Sequence, residues 1–506
     1  MGYTSGSSRE KITTLKNGVP TNPKLNDSLV GLTGGYASTK GNQGLDDYVD
    51  QLIREYHTKT LVDNEEIWIY DKEKGVFVPG AEPVIKARIE RDYRGKVKNH
   101  DIKEYIGQIQ RRTYTRRERF DPDKSWIAAK NCMINLKSGE TQPFNPSFMN
   151  TTQIPEEYLP SVERNFFTWV EYPVLGYNNI NSECPSIMKF LHEIMSVEDV
   201  ELLLDFLSYC LWREYKFNVW MLFNGAGQNG KSTLINLIET FFGQENVSGE
   251  SLDRLFRDRF APANLYRKMV NVDADLSPGA LFGNTGKLKK LTGNDEYPAE
   301  FKYKSAFKFR SHAKLIFSCN RIPLTDDLTD AFLRRIIIIN FTGQFFGAKE
   351  DINLIDKLTN PEELSGLLRV LVNRLSRVLK NGIRQTTSEV MEKTHEKYMR
   401  GSDPTKYFVE KALINDSTSK VKKIDMYDAR VKYSQENGLP VESEQSFSRK
   451  MTQEFGYLTK QFREKGERAW FYVGVRLTDW KQREMEEQSK LEDQGEFSEA
   501  TQAEMK

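Results

Sequence analysis

A glycine-rich segment near the middle of the chain has the residue types and spacing of a phosphate-binding loop. Residues 225–232 read GAGQNGKS, which fits the pattern GxxxxGK[ST]. Glycines let the backbone wrap closely around a triphosphate, and a following helix adds a favourable dipole. Lys231 is expected to reach the β- and γ-phosphates, and the Ser232 hydroxyl to coordinate Mg²⁺. The candidate ligand-binding residues are Gly225, Ala226, Gly227, Gln228, Asn229, Gly230, Lys231, Ser232 and Thr233.

The elements on either side of the loop are those that this chemistry requires. The apolar run NVWMLF predicts a strand before it, and TLINLIETFFG predicts a helix after it. The alternative is a chance glycine-rich turn, which would need neither the strand nor the helix. Further strands are predicted at KMVNVDAD, AKLIFSCN and RRIIIINF. Strands alternating with helices predict an α/β domain with a largely parallel sheet.

Two acidic residues follow a predicted strand downstream of the loop. A nucleoside triphosphatase needs a carboxylate at the end of a neighbouring strand to hold Mg²⁺ and activate water. Asp273 ends the apolar run, and Asp275 lies two positions further, so an extended chain would point both the same way. One would bind the metal while the other acts as base, and the sequence does not assign the two roles. The alternative is a pair of solvated acids in a turn.

Polar residues at two further strand ends complete the candidate site. Asn320 follows AKLIFSC and could hold an attacking water in line, although asparagine also favours turns after strands. Arg334 and Arg335 precede the run IIIINF. A guanidinium offered to a neighbouring subunit's nucleotide would stabilise transition-state charge. The alternative is a surface ion pair with Asp327 or Asp330.

Length and composition exclude several classes of protein. The chain has 506 residues and a net charge of +1, so it is not a globally basic nucleic-acid coat. No stretch approaches the roughly 18 uninterrupted apolar residues of a membrane span, and the N-terminus lacks the apolar core of a signal peptide. The 4 cysteines show no CxxC spacing. We therefore expect a protein of a reducing cytoplasm.

Four blocks occur in a characteristic order: FNGAGQNGKSTL, KMVNVDADLS, LKKLTGNDEYPAEFKYKSAFKFRSHAKLIFSCNRIP and DAFLRRIIIINF. Together they resemble the superfamily 3 helicases of the poxvirus primase-helicase and phage/plasmid primase C-terminal family. The third block is the most specific, because KLTG followed by a basic-aromatic hairpin and the asparagine strand is peculiar to this group. Weaker similarity extends from IPEEYLP and CPSIMKFLHEI to a C-terminal region that resembles the family's winged helix. The likeness spans about residues 45–480.

The resemblance implies an ATP site that is completed between the subunits of a homo-hexameric ring. The assignments are Lys231 and Ser232 in the first ATPase motif, Asp273 and Asp275 in the second, Asn320 at the sensor position, and Arg334 and Arg335 in the arginine-finger region. The spacing VDAD departs from the adjacent acids of many relatives. Residues 1–135 are too short for a primase and lack a convincing paired-acid metal site, so priming would come from a separate primase or polymerase chain. The resemblance further implies a protein of a prokaryotic host or one encoded by a virus or plasmid.

The resemblance also implies a DNA-contacting hairpin just before the sensor strand. In this chain it is FKYKSAFKF, with its tip near Lys304 and Ser305. Lysines that alternate with aromatic residues suit phosphate neutralisation beside base stacking. An ordinary strand pair with a basic solvent face would show the same pattern. The lysines are Lys302, Lys304 and Lys308, and the aromatic residues are Phe301, Tyr303 and Phe307.

The expected fold class is α/β, with an AAA+-like P-loop ATPase domain between a helical/mixed N-terminal region and a C-terminal winged helix. In the winged helix, SFSRKMTQEF would lie in a DNA groove and the wing near REKGERAWFYV would touch the DNA backbone, with Trp470 and Phe471 in the core of the wing. The alternative is that the winged helix mediates protein contacts. The expected parts are a disordered arm (1–44), a mixed α/β domain (45–135), a helical domain (136–215), the superfamily 3 ATPase/helicase domain (216–345), a helical connector (346–405), a winged-helix DNA-binding domain (406–480) and a disordered acidic tail (481–506).

The leading hypothesis is an ATP-dependent helicase that translocates on single-stranded DNA and unwinds forked DNA during replication of a virus, phage or plasmid. A second hypothesis keeps the ATPase but limits it to melting an origin or loading a partner. A third is a DNA-binding scaffold whose nucleotide site controls assembly only. The complete set of hydrolytic residues argues against the scaffold, since a switch without hydrolysis would not need them all.

Overall fold

The structure is a computed structural model of the chain. It describes residues 42–160, 183–276, 285–322, 332–343, 353–383 and 404–480, apart from positions 226, 304, 321, 333, 438, 440, 465 and 466. The chain divides into two compact units, the first made of Met1–Pro122 and Phe144–Thr151 and the second of Asp123–Pro143 and Thr152–Lys506. Most of the expected arm and the whole expected acidic tail lie outside the described residues. Within the described ranges, no helix is long and apolar enough to cross a membrane.

The first unit combines helices with a small mixed sheet. Its helices are α1 (Asn42–Tyr56), α2 (Glu82–Asp92) and α3 (Asn99–Thr113), and its strands are β1 (Lys59–Leu61), β2 (Ile67–Asp71), β3 (Val76–Val78) and β4 (Tyr114–Thr115). The strand order is β3-β2-β1-β4, with β4 parallel to β1 and the other pairs antiparallel. Strands β2 and β3 form a hairpin over the segment EEIWIYDKEKGVFVP, in which apolar residues alternate on both sides of a charged turn. Its turn contains Gly75 at φ +70°, a conformation that favours glycine.

A short antiparallel sheet and two apolar helices begin the second unit. The sheet contains β5 (Trp126–Ala128), β6 (Met133–Asn135) and β7 (Thr141–Gln142). The helices are α4 (Pro185–Ile194) and α5 (Val197–Cys210), and in both the apolar residues recur at three- and four-residue spacing. Their apolar side chains enter the same core as one face of the central sheet.

The central sheet is parallel and buried on both faces. Its strands are β8 (Trp220–Asn224), β9 (Val247–Ser248), β10 (Val270–Asp273), β13 (Lys314–Cys319) and β14 (Ile336–Asn340). They follow the order β14-β8-β13-β10-β9, and all four pairs are parallel. Met221 and Phe223 enter one core while Trp220 and Leu222 enter another. Apolar cover on both faces explains why these strands read as continuous hydrophobic runs.

Three helices and a hairpin connect these strands. Helix α6 (Lys231–Phe242) follows β8, and α7 (Leu252–Arg257) and α8 (Thr285–Leu291) lie on either side of β10 in the chain. Strands β11 (Glu296–Ala299) and β12 (Phe307–Arg310) pair antiparallel just before β13. A hairpin therefore precedes the asparagine strand, but its first arm is EYPA rather than FKYK, because Phe301 and Lys302 lie in the connecting loop.

The helices that follow the sheet close its core. They are α9 (Leu354–Leu358) and α10 (Pro361–Asn381). On α10, Glu363 accepts hydrogen bonds from the backbone N–H groups of Ser186 and Ile187, at 3.0 and 3.1 Å, and so caps the N-terminus of α4. Arg374 of α10 forms a buried ion pair with Asp205 of α5 at 2.7 Å. These contacts hold α10 against α4 and α5, whose apolar residues share one core with α6 and one face of the sheet.

The C-terminal part of the second unit has its own apolar core. Its elements are α11 (Pro404–Ala412), β15 (Leu413–Lys422), α12 (Lys423–Asn437), α13 (Glu444–Gln453), β16 (Thr459–Glu464) and β17 (Glu467–Leu477). The antiparallel sheet has the order β15-β17-β16. Phe471 is buried, but Trp470 is 52% exposed, so the expected place of Trp470 in a core is wrong. Successive residues of a strand face opposite sides, so Trp470 and Phe471 face different surroundings. Trp470 shares a side with Tyr472, which contacts α13, but lies two residues past that contact.

Candidate functional site

The glycine loop, residues 225–230, joins β8 to α6 in a conformation that requires glycine at two positions. Gly230 precedes the helix at φ +88°, and a Cβ atom there would lie 2.7 Å from Cγ2 of Ile194. A Cβ on Gly225 would lie 2.9 Å from Cβ of Phe341. Both distances are closer than real Cβ atoms come to other atoms, so a side chain would displace the loop. The loop is held against α4 on one side and against the end of β14 on the other.

Lys231 begins α6 and turns its ammonium group back under the glycine loop. The group donates hydrogen bonds to the carbonyl of Gly225 and, at 3.2 and 3.4 Å, to the side-chain oxygens of Asn229 and Asn320. Asn320 is 89 residues away in the chain, but β8 and β13 are adjacent parallel strands whose carboxyl ends meet. Burial lowers the pKa of Lys231. The structure thus brings the predicted lysine and the predicted sensor asparagine together.

The two acids that the sequence could not separate have different surroundings. The Asp273 carboxylate is half-buried and accepts hydrogen bonds from the backbone N–H groups of Leu252, at 3.2 Å, and Asp275. Burial raises the pKa of Asp273, and these two hydrogen bonds oppose the rise. Asp275 is exposed, and its charge partly opposes the lowering of the Lys231 pKa by burial. Asp273 is thereby bound to the start of α7, while Asp275 acts electrostatically on the lysine.

Some residues at this edge were missed by sequence reasoning. Cys319 ends β13 beside Lys231, and burial raises the pKa of its thiol to about 12, so it lines the site as an inert group. Asn224 and Asn340 end the neighbouring strands β8 and β14, and the amide of Asn224 donates to the side-chain oxygen of Asn340 at 2.9 Å. The sequence signal that could have found these residues was their position, since each stands at the carboxyl end of a strand of the parallel sheet.

The remaining loop residues differ in exposure. Ser232 is exposed and Thr233 half-buried in the first turn of α6, and Gln228 has φ +59°. Gly227 has open space where a Cβ would be. Ala226 lies outside the described residues.

Arg334 and Arg335 are not near the glycine loop. They lie at the amino end of β14, where the carbonyl of Arg335 accepts a hydrogen bond from the N–H of Trp220 at the start of β8. The loop follows the opposite end of β8, about 15 Å away at the usual rise per residue. The Arg335 guanidinium donates to the carbonyl of Lys289 and the hydroxyl of Thr292, at 2.9 and 3.2 Å. Arg334 is exposed and makes no ion pair or hydrogen bond with any residue the structure describes.

The hairpin residues also fall into two groups. Lys302 and Tyr303 lie in the loop between β11 and β12, where Tyr303 is 92% exposed and the Lys302 ammonium lies 5.2 Å from its ring centre. Lys308 is on β12 and forms an ion pair with Glu296 at 3.1 Å. Phe301 stacks on the buried Phe307, so these two rings belong to the core. Lys304 lies outside the described residues.

A divalent cation is implied by the predicted chemistry, and the donor set is compatible with it. No cluster of three or more His, Cys, Asp or Glu side chains occurs in the part of the chain that the structure describes. Mg²⁺ at nucleotide sites needs only one or two protein oxygens, because phosphates and water supply the others. The exposed Ser232 hydroxyl and Asp275 carboxylate are oxygens of this kind.

Comparisons with known proteins agree with a nucleic-acid enzyme. Residues 37–196 match the family described as D5 N terminal like, and residues 223–335, which include the glycine loop, match a family of unknown function. The chain is 25% identical over 241 residues to "Putative helicase 121R" of Invertebrate iridescent virus 3, which covers 41% of this chain and 25% of that protein. It is 24% identical over 279 residues to "Putative helicase L207/L206" of Acanthamoeba polyphaga mimivirus, which covers 50% and 28%. The chain spans about a quarter of the length of these curated relatives.

The fold is similar to the apo structure of the NrS-1 C-terminal region. The TM-score is 0.51 at 13% identity, over 86% of this chain and 100% of that one. The chain therefore has a mixed α/β fold shared with that region, and its sequence is related to viral proteins that are named as helicases.

Proposed function

We propose that the chain is an ATP-dependent DNA helicase of superfamily 3 with an AAA+-like P-loop core. In a homo-hexameric ring it would hydrolyse ATP between subunits, translocate on single-stranded DNA and unwind forked DNA during viral, phage or plasmid replication. The observation that carries this proposal is the convergence of Lys231, Asn320 and Asp275 at one edge of a parallel sheet, beside the glycine loop. The names of the viral relatives support the same activity.

In this proposal each site residue has its own role toward the triphosphate. Lys231 exchanges the Gly225 carbonyl and the amide oxygens for the β- and γ-phosphates, which releases Asn320 to orient the attacking water. Mg²⁺ would be held by Ser232 and, directly or through water, by Asp275, and when bound it neutralises charge on the phosphates. Asp273 holds the start of α7 in place through the Leu252 N–H.

The position of the arginines supports a site that is completed by a neighbouring subunit. Arg334 lies at the amino edge of the sheet, about 15 Å from the loop of its own chain, so it would act on the nucleotide of the next subunit. Arg335 is the poorer candidate because its guanidinium is bound to Lys289 and Thr292 of its own chain. Priming would then come from a separate primase or polymerase.

The hairpin loop is the proposed moving contact with DNA. Tyr303 offers an exposed ring for stacking on a base, and Lys302 lies beside it for a phosphate. Lys308 is a weaker candidate, since Glu296 already neutralises it.

Steady-state ATP hydrolysis with and without single-stranded DNA tests the proposal. We expect Lys231→Ala to lose turnover by at least about 100-fold, because phosphate charge is then uncompensated. Lys302→Ala should lose stimulation by DNA, while Lys308→Ala is the matched control that keeps most of it. Normal hydrolysis by Lys231→Ala would refute the nucleotide site. Hydrolysis that DNA does not stimulate in the wild-type chain would favour the loading ATPase instead.

A mixing experiment tests the shared site. Arg334→Ala and Lys231→Ala chains should each be inactive alone. In mixed rings an intact Lys231 meets an intact Arg334 across some interfaces, so hydrolysis should return in part. If mixing restores nothing while both variants assemble with wild-type subunits, Arg334 does not act between subunits.

A further inference from the structure

The two strands β16 and β17 form an antiparallel ribbon with one unusual face. Gln461 pairs with Trp470 and Arg463 pairs with Arg468, and opposed residues of an antiparallel pair share a face. These four residues, here called the ribbon face, are all exposed. The ribbon face therefore presents two guanidinium groups directly opposite each other, next to a half-exposed indole.

The two arginines have no compensating charge in the described structure. Neither Arg463 nor Arg468 forms an ion pair or hydrogen bond with a described residue. Like charges directly opposite each other in a sheet are unfavourable, so this arrangement is stabilised when an anion binds between them. No acidic residue belongs to the ribbon face.

The opposite face of the same ribbon differs, because it makes contacts within the chain. Glu464 forms an ion pair with Lys422 at 2.5 Å. Phe471 is buried beneath Lys420, whose ammonium lies 5.0 Å from the Phe471 ring centre and 4.1 Å from that of Phe462. An open charged and aromatic surface is thus a property of one face and not of the ribbon as a whole.

Helix α13 fixes where the open surface begins. Tyr472 lies on the same side as Trp470, is buried, and bonds through its hydroxyl to Ser448 of α13 at 3.3 Å. Two residues nearer the ribbon's turn, Trp470 is past this contact and is 52% exposed. The indole is anchored in a packed strand but leaves much of its surface open, and such a rigid aromatic surface suits stacking on an unpaired base.

We propose that the ribbon face is a second binding site for single-stranded DNA. A base stacks on Trp470, and the adjoining phosphates lie between Arg463 and Arg468. The proposal rests on the proposed function only in taking DNA as the polymer, and it adds a contact outside the hairpin loop of Lys302 and Tyr303. Paired, acid-free guanidinium groups favour a polyanion over a protein surface, whose carboxylates are scattered.

Tryptophan fluorescence of the full chain, without nucleotide, gives a readout of this one contact. Titration with oligothymidylate should quench part of the emission in the wild-type chain, and that part should be missing in Trp470→Phe. The protein has 7 tryptophans, so the difference between the two titrations isolates residue 470. In Trp470→Ala the binding attributable to this site should weaken roughly 5- to 100-fold.

The salt dependence of binding tests the arginines. For the double variant Arg463→Gln/Arg468→Gln, the slope of log affinity against log salt should fall in magnitude by about 1.4, since two phosphate contacts are lost. Lys460→Gln is the matched control, because Lys460 is an exposed cation of the same ribbon on the opposite face. Its slope should match that of the wild-type chain. Circular dichroism of each variant would verify that the fold is kept.

Several outcomes would overturn the proposal. Equal quenching in the wild-type chain and Trp470→Phe would mean that no base stacks on this indole. An unchanged salt slope in the double variant, or an equal loss of slope in Lys460→Gln, would show that Arg463 and Arg468 do not contact phosphates. The ribbon face would then be a surface for a protein partner. Residue-specific quenching by a chain that hydrolyses no ATP would support the ribbon site while refuting the helicase, so the two failures are distinguishable.

Discussion

The two edges of the central sheet each bury a lysine, but in different surroundings. At the amino edge, Lys314 begins β13 and is fully buried, with its ammonium 4.3 and 4.9 Å from the ring centres of Tyr209 and Tyr215. Its hydrogen bonds go to the backbone carbonyls of Trp212, Glu214 and His312, at 2.5, 3.0 and 3.0 Å. At the carboxyl edge, Lys231 bonds to a glycine loop and to two side-chain amides.

The difference shows how a structural cation is distinguished from one that can bind a ligand. The partners of Lys314 are three main-chain oxygens of the segments that connect the packed elements, and the lysine itself is fully buried. The partners of Lys231 are a loop carbonyl and two side-chain amides, and Asp275 nearby is exposed to solvent. In the proposed site a phosphate would replace the partners of Lys231, whereas Lys314 is fully buried and has no surface at which to receive one.

Replacing each carboxylate at the carboxyl edge by an amide should separate the two acids, and Asp275 should give the largest effect on ATP turnover. Asp275→Asn should reduce ATP turnover by about 10²–10³-fold, because the exposed carboxylate near Lys231 is lost. Asp273→Asn retains an acceptor for the Leu252 N–H and should lose only about tenfold. Turnover of both purified variants at saturating ATP and Mg²⁺ measures this. Equal losses would show that the different surroundings of the two acids do not separate their roles.

Replacement of each buried lysine by methionine should change the free energy of unfolding by different amounts at the two edges. Lys314→Met leaves three buried carbonyls without a donor and should lower the free energy of unfolding by about 3 kcal/mol. Lys231→Met should change it by no more than about 1 kcal/mol, because the loop can rearrange and hydrate its oxygens. Urea unfolding of both variants makes the comparison. A larger loss in Lys231→Met would contradict the distinction drawn between them.

Backbone strain in the glycine loop should have a smaller cost. Gly230→Ala places a Cβ at φ +88° and close to Ile194, so we expect a loss of about 1–2 kcal/mol and weaker nucleotide binding. The matched control is Gly227→Ala, whose Cβ enters open space and should change stability by less than about 0.5 kcal/mol. Thermal unfolding with and without nucleotide records both. Wild-type behaviour of Gly230→Ala would mean that the loop tolerates a side chain there.

The free energy of unfolding should depend on pH through the titration of Lys314. Burial lowers its pKa to about 7 from the ordinary 10.5. Between these values the unfolded chain holds a proton that the folded chain has lost, so the free energy of unfolding rises with pH. The contribution reaches about 1.4 kcal/mol per pH unit and disappears below pH of about 7, where both states are protonated. The slope from urea unfolding should be smaller in Lys314→Met, and equal slopes would exclude this titration.

Much of the carboxyl edge could be predicted from the sequence because its signals are local. The spacing of glycines around Lys231 and the polar residues after apolar runs predicted both the elements and their order. Asn320 could be placed beside Lys231 because parallel strands bring their carboxyl ends to one edge. The first arm of the hairpin was assigned one segment too late, since FKYK and EYPA both alternate and only the pairing of β11 with β12 selects between them.

Sequence by itself determined the α/β character, the glycine loop and the candidate residues, because periodicity and turn chemistry act between near neighbours. Only the tertiary structure decided which way individual side chains are directed. It bonds Asp273 to α7 and leaves Asp275 open, binds Arg335 within the chain and leaves Arg334 exposed, and exposes Trp470 beside the buried Phe471. In each pair the residues are alike in type and near in sequence, and they differ only in the distant elements that pack against them.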